Sequence, residues 1–379
     1  MLSSFSTMWT NFVAMFMSFI MSFGTFFGIF VPPTTTAPED YLDSKVKNVI
    51  FLIGDGMGFY HLEKAEQERN ITLAMDDFLI RGDSMTRSFS AAVTDSAAGG
   101  TALATGVRTT NGYIGVYPMD MTATFSYPKN ITELCSERGM LTGVITTDET
   151  SGATPASFSA HSSDRGNKED ITNDQLRSTI DLIWGAENDL VSASDARANG
   201  YTYVSTYDEM MALEEGSRSF AHFTNNLWTL EQSDKNTPTL EQMTKKAIDI
   251  LDDTDDGFFL MVEGAHIDKH SHSNDDASMT EAVEAFDKTI KYALEYAKAD
   301  GETLVIVTAD HETGAIVVND DGTYSFTSGS HSSANVPVLI YGSKNIIQTG
   351  ETLNNYEIPI RIAYALGFTE DQFPYEVAA

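Results

Sequence analysis

The twelve residues Lys47 to Gly58, KNVIFLIGDGMG, decide the fold. Asn48 to Ile53 has no polar alternation, so the run reads as a strand buried on both faces, the signature of a parallel sheet. Three glycines then let the backbone turn sharply, and Asp55 sits on that turn. In an open α/β sheet the carboxyl edge of the strands is where ligands bind, so Asp55 is a candidate metal ligand. Its plainer reading is an Asx-turn or a helix cap.

The same grammar recurs downstream. Leu141 to Thr147 (LTGVITT), Gly257 to Val262 (GFFLMV), Thr303 to Thr308 (TLVIVT) and Val336 to Tyr341 (VPVLIY) are further buried strands. Helical patterns fall between them at Ile131 to Arg138, closed by Gly139, at Asp170 to Ile183, at Leu240 to Leu251 and at Met279 to Ala299. Strands alternating with helices predict a three-layer α/β/α sandwich with a large, mainly parallel central sheet. Residues 168–250 carry the weakest signals and are expected to hold a smaller excursion from that sheet.

Polar residues gather just beyond the strands. Ser96, in SAAVTDSAAGGTALATG (residues 90–106), precedes a run of small residues that should open a helix. A serine there lies near unpaired N–H groups and the positive end of the helix dipole, a setting for a phosphate or a developing oxyanion. Ser96 is therefore the candidate nucleophile, against the commoner reading of a helix cap. After Gly257 to Val262 come Glu263, Asp268, Lys269, His270 and His272; Asp268 and His272 are spaced i,i+4 and share one helix face. Asp310 and His311 follow Thr303 to Thr308, and His331 precedes Val336 to Tyr341 as a third ligand for the Asp268–His272 pair. Arg165 offers a planar fork to a phosphate, or else an ordinary surface ion pair.

Composition narrows the function. The 379 residues carry 23 Lys plus Arg against 55 Asp plus Glu, a net charge of −32. Such a surface repels nucleic acid and anionic membrane, so nucleic acid is not an expected partner. The single Cys135 excludes an internal disulfide and reads as an inert buried thiol. No charged residue precedes Glu39, and Met8 to Val31 would be about 36 Å long as a helix, enough to span a bilayer. Residues 1–44 are accordingly expected to be a targeting or anchor segment with a Pro/Thr linker that contacts the membrane, and 45–379 the catalytic domain. The expected location is periplasmic, extracellular or membrane-anchored.

With these residues in view, the chain resembles the bacterial alkaline phosphatases. NVIFLIGDGMG (48–58), VTDSAAGGTA (93–102), GATPASFSAHSSDR (152–165), MVEGAHIDKHSH (261–272), TADHETG (308–314) and HSSANVPV (331–338) follow in the family's order and extend over most of residues 45–370. The resemblance implies hydrolysis of phosphate monoesters through a phosphoserine at Ser96. It implies one zinc on Asp268, His272 and His331, a second on Asp310, His311 and Asp55, and a magnesium on Asp55, Thr154 and Glu263. Arg165 would clamp the non-bridging phosphate oxygens with Asp95 fixing it by an ion pair, Lys269 would reach phosphate through water, and the assembly would be a homodimer.

One position departs from the family pattern: Gly152 stands where relatives place an Asp or a His beside the third metal. That site is expected to be weaker, water-filled, or remodelled by a neighbour such as Glu149. The rival activities are phosphodiester or sulfate-ester hydrolysis within the same superfamily, and a membrane-tethered protein that holds zinc or phosphate without turnover. Arg165 separates the esters, because it suits the extra equatorial oxygens of a monoester.

Overall fold

The computed structural model describes residues 46–118, 125–224, 226–232, 234–252 and 254–374. The expected anchor and linker at 1–44 lie outside these residues. Among the described residues no helix is long and apolar enough to cross a membrane.

The elements that matter alternate along the chain. They run β1 (Asn48–Gly54), α1 (Phe59–Arg69), β2 (Ile80–Met85), α2 (Ser96–Thr105), α3 (Ile131–Glu137), β3 (Leu141–Glu149), α4 (Ala153–Ser157) and α5 (Lys168–Arg177). Then come β4 (Leu182–Ala186), β5 (Thr202–Val204), β6 (Ser219–Phe223), α6 (Leu240–Leu251), β7 (Phe258–Gly264), α7 (His266–His272) and α8 (Asp276–Asp300). β8 (Thr303–Thr308), β9 (Val336–Tyr341), β10 (Thr352–Asn354) and α9 (Glu357–Ala365) complete the set. Ten strands form one sheet in the order β10-β2-β9-β8-β1-β7-β3-β4-β6-β5.

Strand β1 lies near the middle, flanked in parallel by β8 and β7. Its alternation splits the core. Ile50 and Leu52 pack into one cluster with Val283, Phe286 and Ile290 of α8 and Met243 and Ile248 of α6. Val49, Phe51 and Ile53 face the other cluster, with Leu103 of α2, Ile131 and Leu134 of α3 and Ile358 of α9. Helices thus cover both faces, and a strand buried on both sides has no reason to alternate apolar with polar residues.

Only β9 runs against the other nine strands, antiparallel to β8 on one side and β2 on the other. Its reversal puts its entrance, rather than its exit, at the edge where β1, β7 and β8 end. That is why His331, which comes before a strand, meets residues that come after strands.

Two expectations are corrected. Residues 168–250 are no excursion: they supply β4, β6 and β5, which extend the main sheet to its edge. The helix expected over Asp170 to Ile183 stops at Arg177, and Leu182 and Ile183 belong to β4. Ser178 takes an extended conformation (ψ 169°) and ends the helix, which an apolar count alone does not detect.

Candidate metal and phosphate site

The site is built at the carboxyl ends of β1, β7 and β8 and the entrance to β9. Asp55 leaves β1 on the turn where Gly56 has φ +72°; a Cβ there would lie 2.8 Å from Asp268 Cβ and from Thr313 Oγ1. Glycine is what lets the β1 turn press against the residues beyond β7 and β8. Gly56 N in turn donates to Asp310 Oδ1 at 3.2 Å.

Two groups of donors converge. Asp268, His272 and His331 form one, and Asp55, Asp310 and His311 the other, each offering atoms all within 4.8 Å of one another. In the first, His272 Nε2 lies 3.3 Å from Asp268 Oδ2 and 3.1 Å from His331 Nε2. The outer nitrogens are committed: His272 Nδ1 donates to Gly329 O at 2.8 Å and His331 Nδ1 to Thr94 O at 3.0 Å. A carbonyl only accepts, so Nδ1 is the donor in each ring and Nε2 is the nitrogen directed inward, the one that imidazole would present to a metal. In the second group, His311 Nε2 lies 3.3 Å from Asp310 Oδ2 and 3.5 Å from Asp55 Oδ1. The rings of His311 and His331 stack at 3.6 Å, which joins the groups.

Buried oxygens test whether cations belong here. Asp55 Oδ1, Asp310 Oδ2 and Thr154 Oγ1 are all buried and make no hydrogen bond. Orphaned carboxylate oxygens in a protein interior are costly, and a cation is the ordinary way to satisfy them. Carboxylate and imidazole together suit zinc, and oxygen donors alone suit magnesium. The electrostatics agree: burial, then repulsion from Asp310, Asp268 and Glu263, pushes the Asp55 carboxyl well above its ordinary range. Burial and the Asp148 charge raise Glu263 to about 8. Four acids crowded in a dry pocket are stable as anions only with compensating positive charge.

Ser96 is the first residue of α2, with its Oγ 3.1 Å from His311 Nε2. Asp95 is the N-cap: its Oδ1 accepts from Ala98 N at 3.0 Å. Its other oxygen accepts from Arg165 Nη1 at 3.1 Å and from Gly112 N at 2.9 Å. One carboxylate thereby starts the serine's helix and ties down the arginine. Gly99, one turn into α2, lets the helix approach β8, since a Cβ there would lie 2.8 Å from Asp310 O. Lys269, on α7 between ligands, forms an ion pair with Asp148 Oδ1. Thr154 is the second residue of α4 and Glu263 the last but one of β7, where it accepts the Thr146 hydroxyl. All twelve residues named from the sequence therefore lie at this edge.

Two contributors were missed. Thr313 Oγ1 donates to Asp268 Oδ1 at 2.5 Å and lies 3.3 Å from His311 Nδ1, bridging the two donor groups. Its place two residues after His311 was the available signal. Asp148 is the other. Among the remaining histidines, His161 is tied to Gly115 O (2.6 Å) and Glu133 Oε1 (3.2 Å), while His266 contacts Thr147 Oγ1 at 3.1 Å. His270 packs its ring against Trp228 at 4.6 Å.

Comparison with known proteins agrees with this geometry. The family model described as alkaline phosphatase matches residues 46–183 and 177–351. Alkaline phosphatase 4 of Bacillus subtilis is 33% identical over 325 residues, covering 80% of this chain and 69% of the relative. Alkaline phosphatase of Escherichia coli is 31% identical, covering 76% and 74%. The solved structure of the alkaline phosphatase from the Antarctic bacterium TAB5 superposes with a TM-score of 0.72 at 31% identity, covering 86% of this chain and 99% of that one.

Proposed function

Since the chain belongs to the alkaline phosphatase family and is on that footing a phosphatase, we propose that it hydrolyses phosphate monoesters to alcohol and inorganic phosphate through a phosphoserine at Ser96. The convergence of two aspartate–histidine groups beside the Ser96 hydroxyl carries this reading. Asp268, His272 and His331 would hold one zinc, Asp55, Asp310 and His311 a second, and Asp55, Thr154 and Glu263 a magnesium. When bound, these ions supply the concentrated positive charge that lets an alcohol attack a phosphate dianion and lets a poor leaving group depart.

The protein groups do the positioning. Ser96 Oγ attacks phosphorus from the N-terminus of α2, where unpaired N–H groups favour the incoming anion. Arg165 takes two non-bridging oxygens in its fork while Asp95 keeps the guanidinium aimed. Lys269 adds a cation at the rim, contacting phosphate through water. Water then frees phosphate from Ser96.

Replacing Ser96 by alanine tests the route. The variant should lose at least a thousandfold in kcat and trap no phosphoprotein at acid pH, with zinc content unchanged at two per chain; full activity would overturn the covalent path. Wild-type protein should cleave nitrophenyl phosphate far faster than its bis ester, and the reverse preference would assign it to diesters. The apolar run at 8–31 further supports an exported or membrane-anchored enzyme, and the family a homodimer. Recovery in the cytosol, or a single-chain mass in solution, would reject these.

A further inference from the structure

The side chain absent at Gly152 has left a space, and a neighbour has filled it. A Cβ built on Gly152 would lie 2.7 Å from Asp148 Oδ2 and 3.0 Å from the Glu149 carbonyl oxygen. Glu149, the neighbour favoured on sequence grounds, is turned away: its carboxylate pairs with Lys168 at 2.6 Å. Asp148 occupies the position instead.

The backbone is shaped to deliver it. The pairing of β3 with β4 runs in step to Ile145 opposite Trp184 and resumes at Glu149 opposite Ala186, so four steps of β3 face two of β4. The surplus residues form a bulge, and bulges commonly re-aim a side chain next to a site. Gly185 makes room for it: a Cβ there would meet Asp148 O at 2.6 Å and Thr146 Cγ2 at 2.8 Å. Inside the bulge, Asp148 N donates to Thr146 Oγ1 at 2.8 Å, and that hydroxyl donates to Glu263. Asp148 Oδ1 receives the Lys269 ammonium. The carboxylate is thus linked to the rim lysine on one side and, through Thr146, to a buried acid of the oxygen-donor group on the other.

We propose that Asp148, brought in by the β3 bulge over Gly185, replaces the side chain Gly152 lacks: it positions Lys269 and contributes a carboxylate to the divalent site of Thr154 and Glu263. This rests on the reading of those residues and Lys269 given above. A carboxylate against Lys269 also tempers the positive charge that phosphate meets, so its loss should tighten product binding.

The test is magnesium titration of zinc-loaded chains by calorimetry, with the inhibition constant of inorganic phosphate measured alongside. Asp148→Ala should weaken magnesium binding at least tenfold and lower the phosphate inhibition constant several-fold, while both zincs remain. Asp148→Asn keeps the shape and should behave alike. Gly185→Ala removes no carboxylate but collides with the backbone of the bulge at Asp148, and should weaken magnesium in the same direction. Adding Gly152→Asp to Asp148→Ala should restore both readouts. Magnesium affinity within twofold of wild type in both Asp148 variants, or no restoration in the double variant, overturns the proposal. A wild-type chain that binds no zinc and cleaves no monoester overturns the underlying reading instead, and the two failures are told apart by the wild type alone.

Discussion

At the scale of single residues, Asp95 has two separable tasks. Oδ1 caps α2, and Oδ2 holds Arg165. Asparagine keeps an oxygen for the cap but removes the charge facing the guanidinium. Asp95→Asn is therefore expected to reduce kcat/KM for a monoester about tenfold, equivalent to ~1.4 kcal/mol, and to lower the melting temperature less than alanine does, since it gives up the Gly112 N–H acceptor but keeps the cap. Asp95→Ala should show that loss and also cost about 1 kcal/mol of stability from the missing cap. Comparing steady-state kinetics and thermal melts of the two variants checks it; equal stability losses in both would mean that the ion pair, not the cap, secures the helix. The residue scale is also where sequence reading reached furthest, because several Asp, His and Ser residues recurred just beyond strands, although each alone reads more simply as a cap or turn. It failed at Asp148, whose task depends on a bulge that ITTDET does not announce.

At the scale of elements, the segment that carries Arg165 is held down by His161. Its Nδ1 bonds Gly115 O and its Nε2 faces Glu133 on α3, so both ring nitrogens have acceptors and the imidazolium is favoured. Burial opposes that charge, but the Glu133 hydrogen bond and charge outweigh it, and the His161 pKa is raised. Burial likewise opposes the Glu133 carboxylate, and His161 outweighs it, so that pKa is lowered. The raised histidine stabilises fully below about pH 6.5, its unfolded value, and loses this as pH climbs through the folded value. The lowered glutamate stabilises above about pH 4.5 and loses this as pH falls further. The pair is strongest between those limits and weakest once the pH has passed the folded value of His161. His161→Gln should lower the melting temperature by more at pH 5.5 than at pH 9; a difference independent of pH would show the ring acts by packing alone. Elements were legible where a long stretch rich in apolar residues marked a strand buried through most of its length, as in β1, β3, β7, β8 and β9. The strands β4 and β6 are as buried but escaped because they are only five residues long and are broken by Gly185 and His222, and β5 because its three residues are partly exposed. The reversal of β9 is invisible in sequence, since a strand reads alike in either direction; only the expected meeting of His331 with Asp268 and His272 hinted at it.

For the whole molecule, the site doubles as a clasp. Its donors come from the ends of β1, β7 and β8, from α7 and from the entrance to β9, elements separated by up to 276 positions between Asp55 and His331. Without cations, Asp55, Asp268, Asp310 and Glu263 repel one another in a dry environment, as the raised Asp55 carboxyl records. The surrounding surface, at net −32, adds to that repulsion instead of relieving it. Cations that bind the folded chain and not the unfolded one stabilise it by mass action, about 2.7 kcal/mol for each site held at a hundredfold excess over its Kd. Stripping the protein with a chelator should therefore lower the melting temperature by several degrees and abolish phosphatase activity together. Restoring zinc should recover most of the melting temperature, and magnesium alone should recover only a small part, because it favours oxygen donors and leaves the two aspartate–histidine groups, with their three imidazoles, unfilled. A stripped protein that melts at the temperature of the loaded one would separate the centre from the fold and reduce its acids to bystanders of the core.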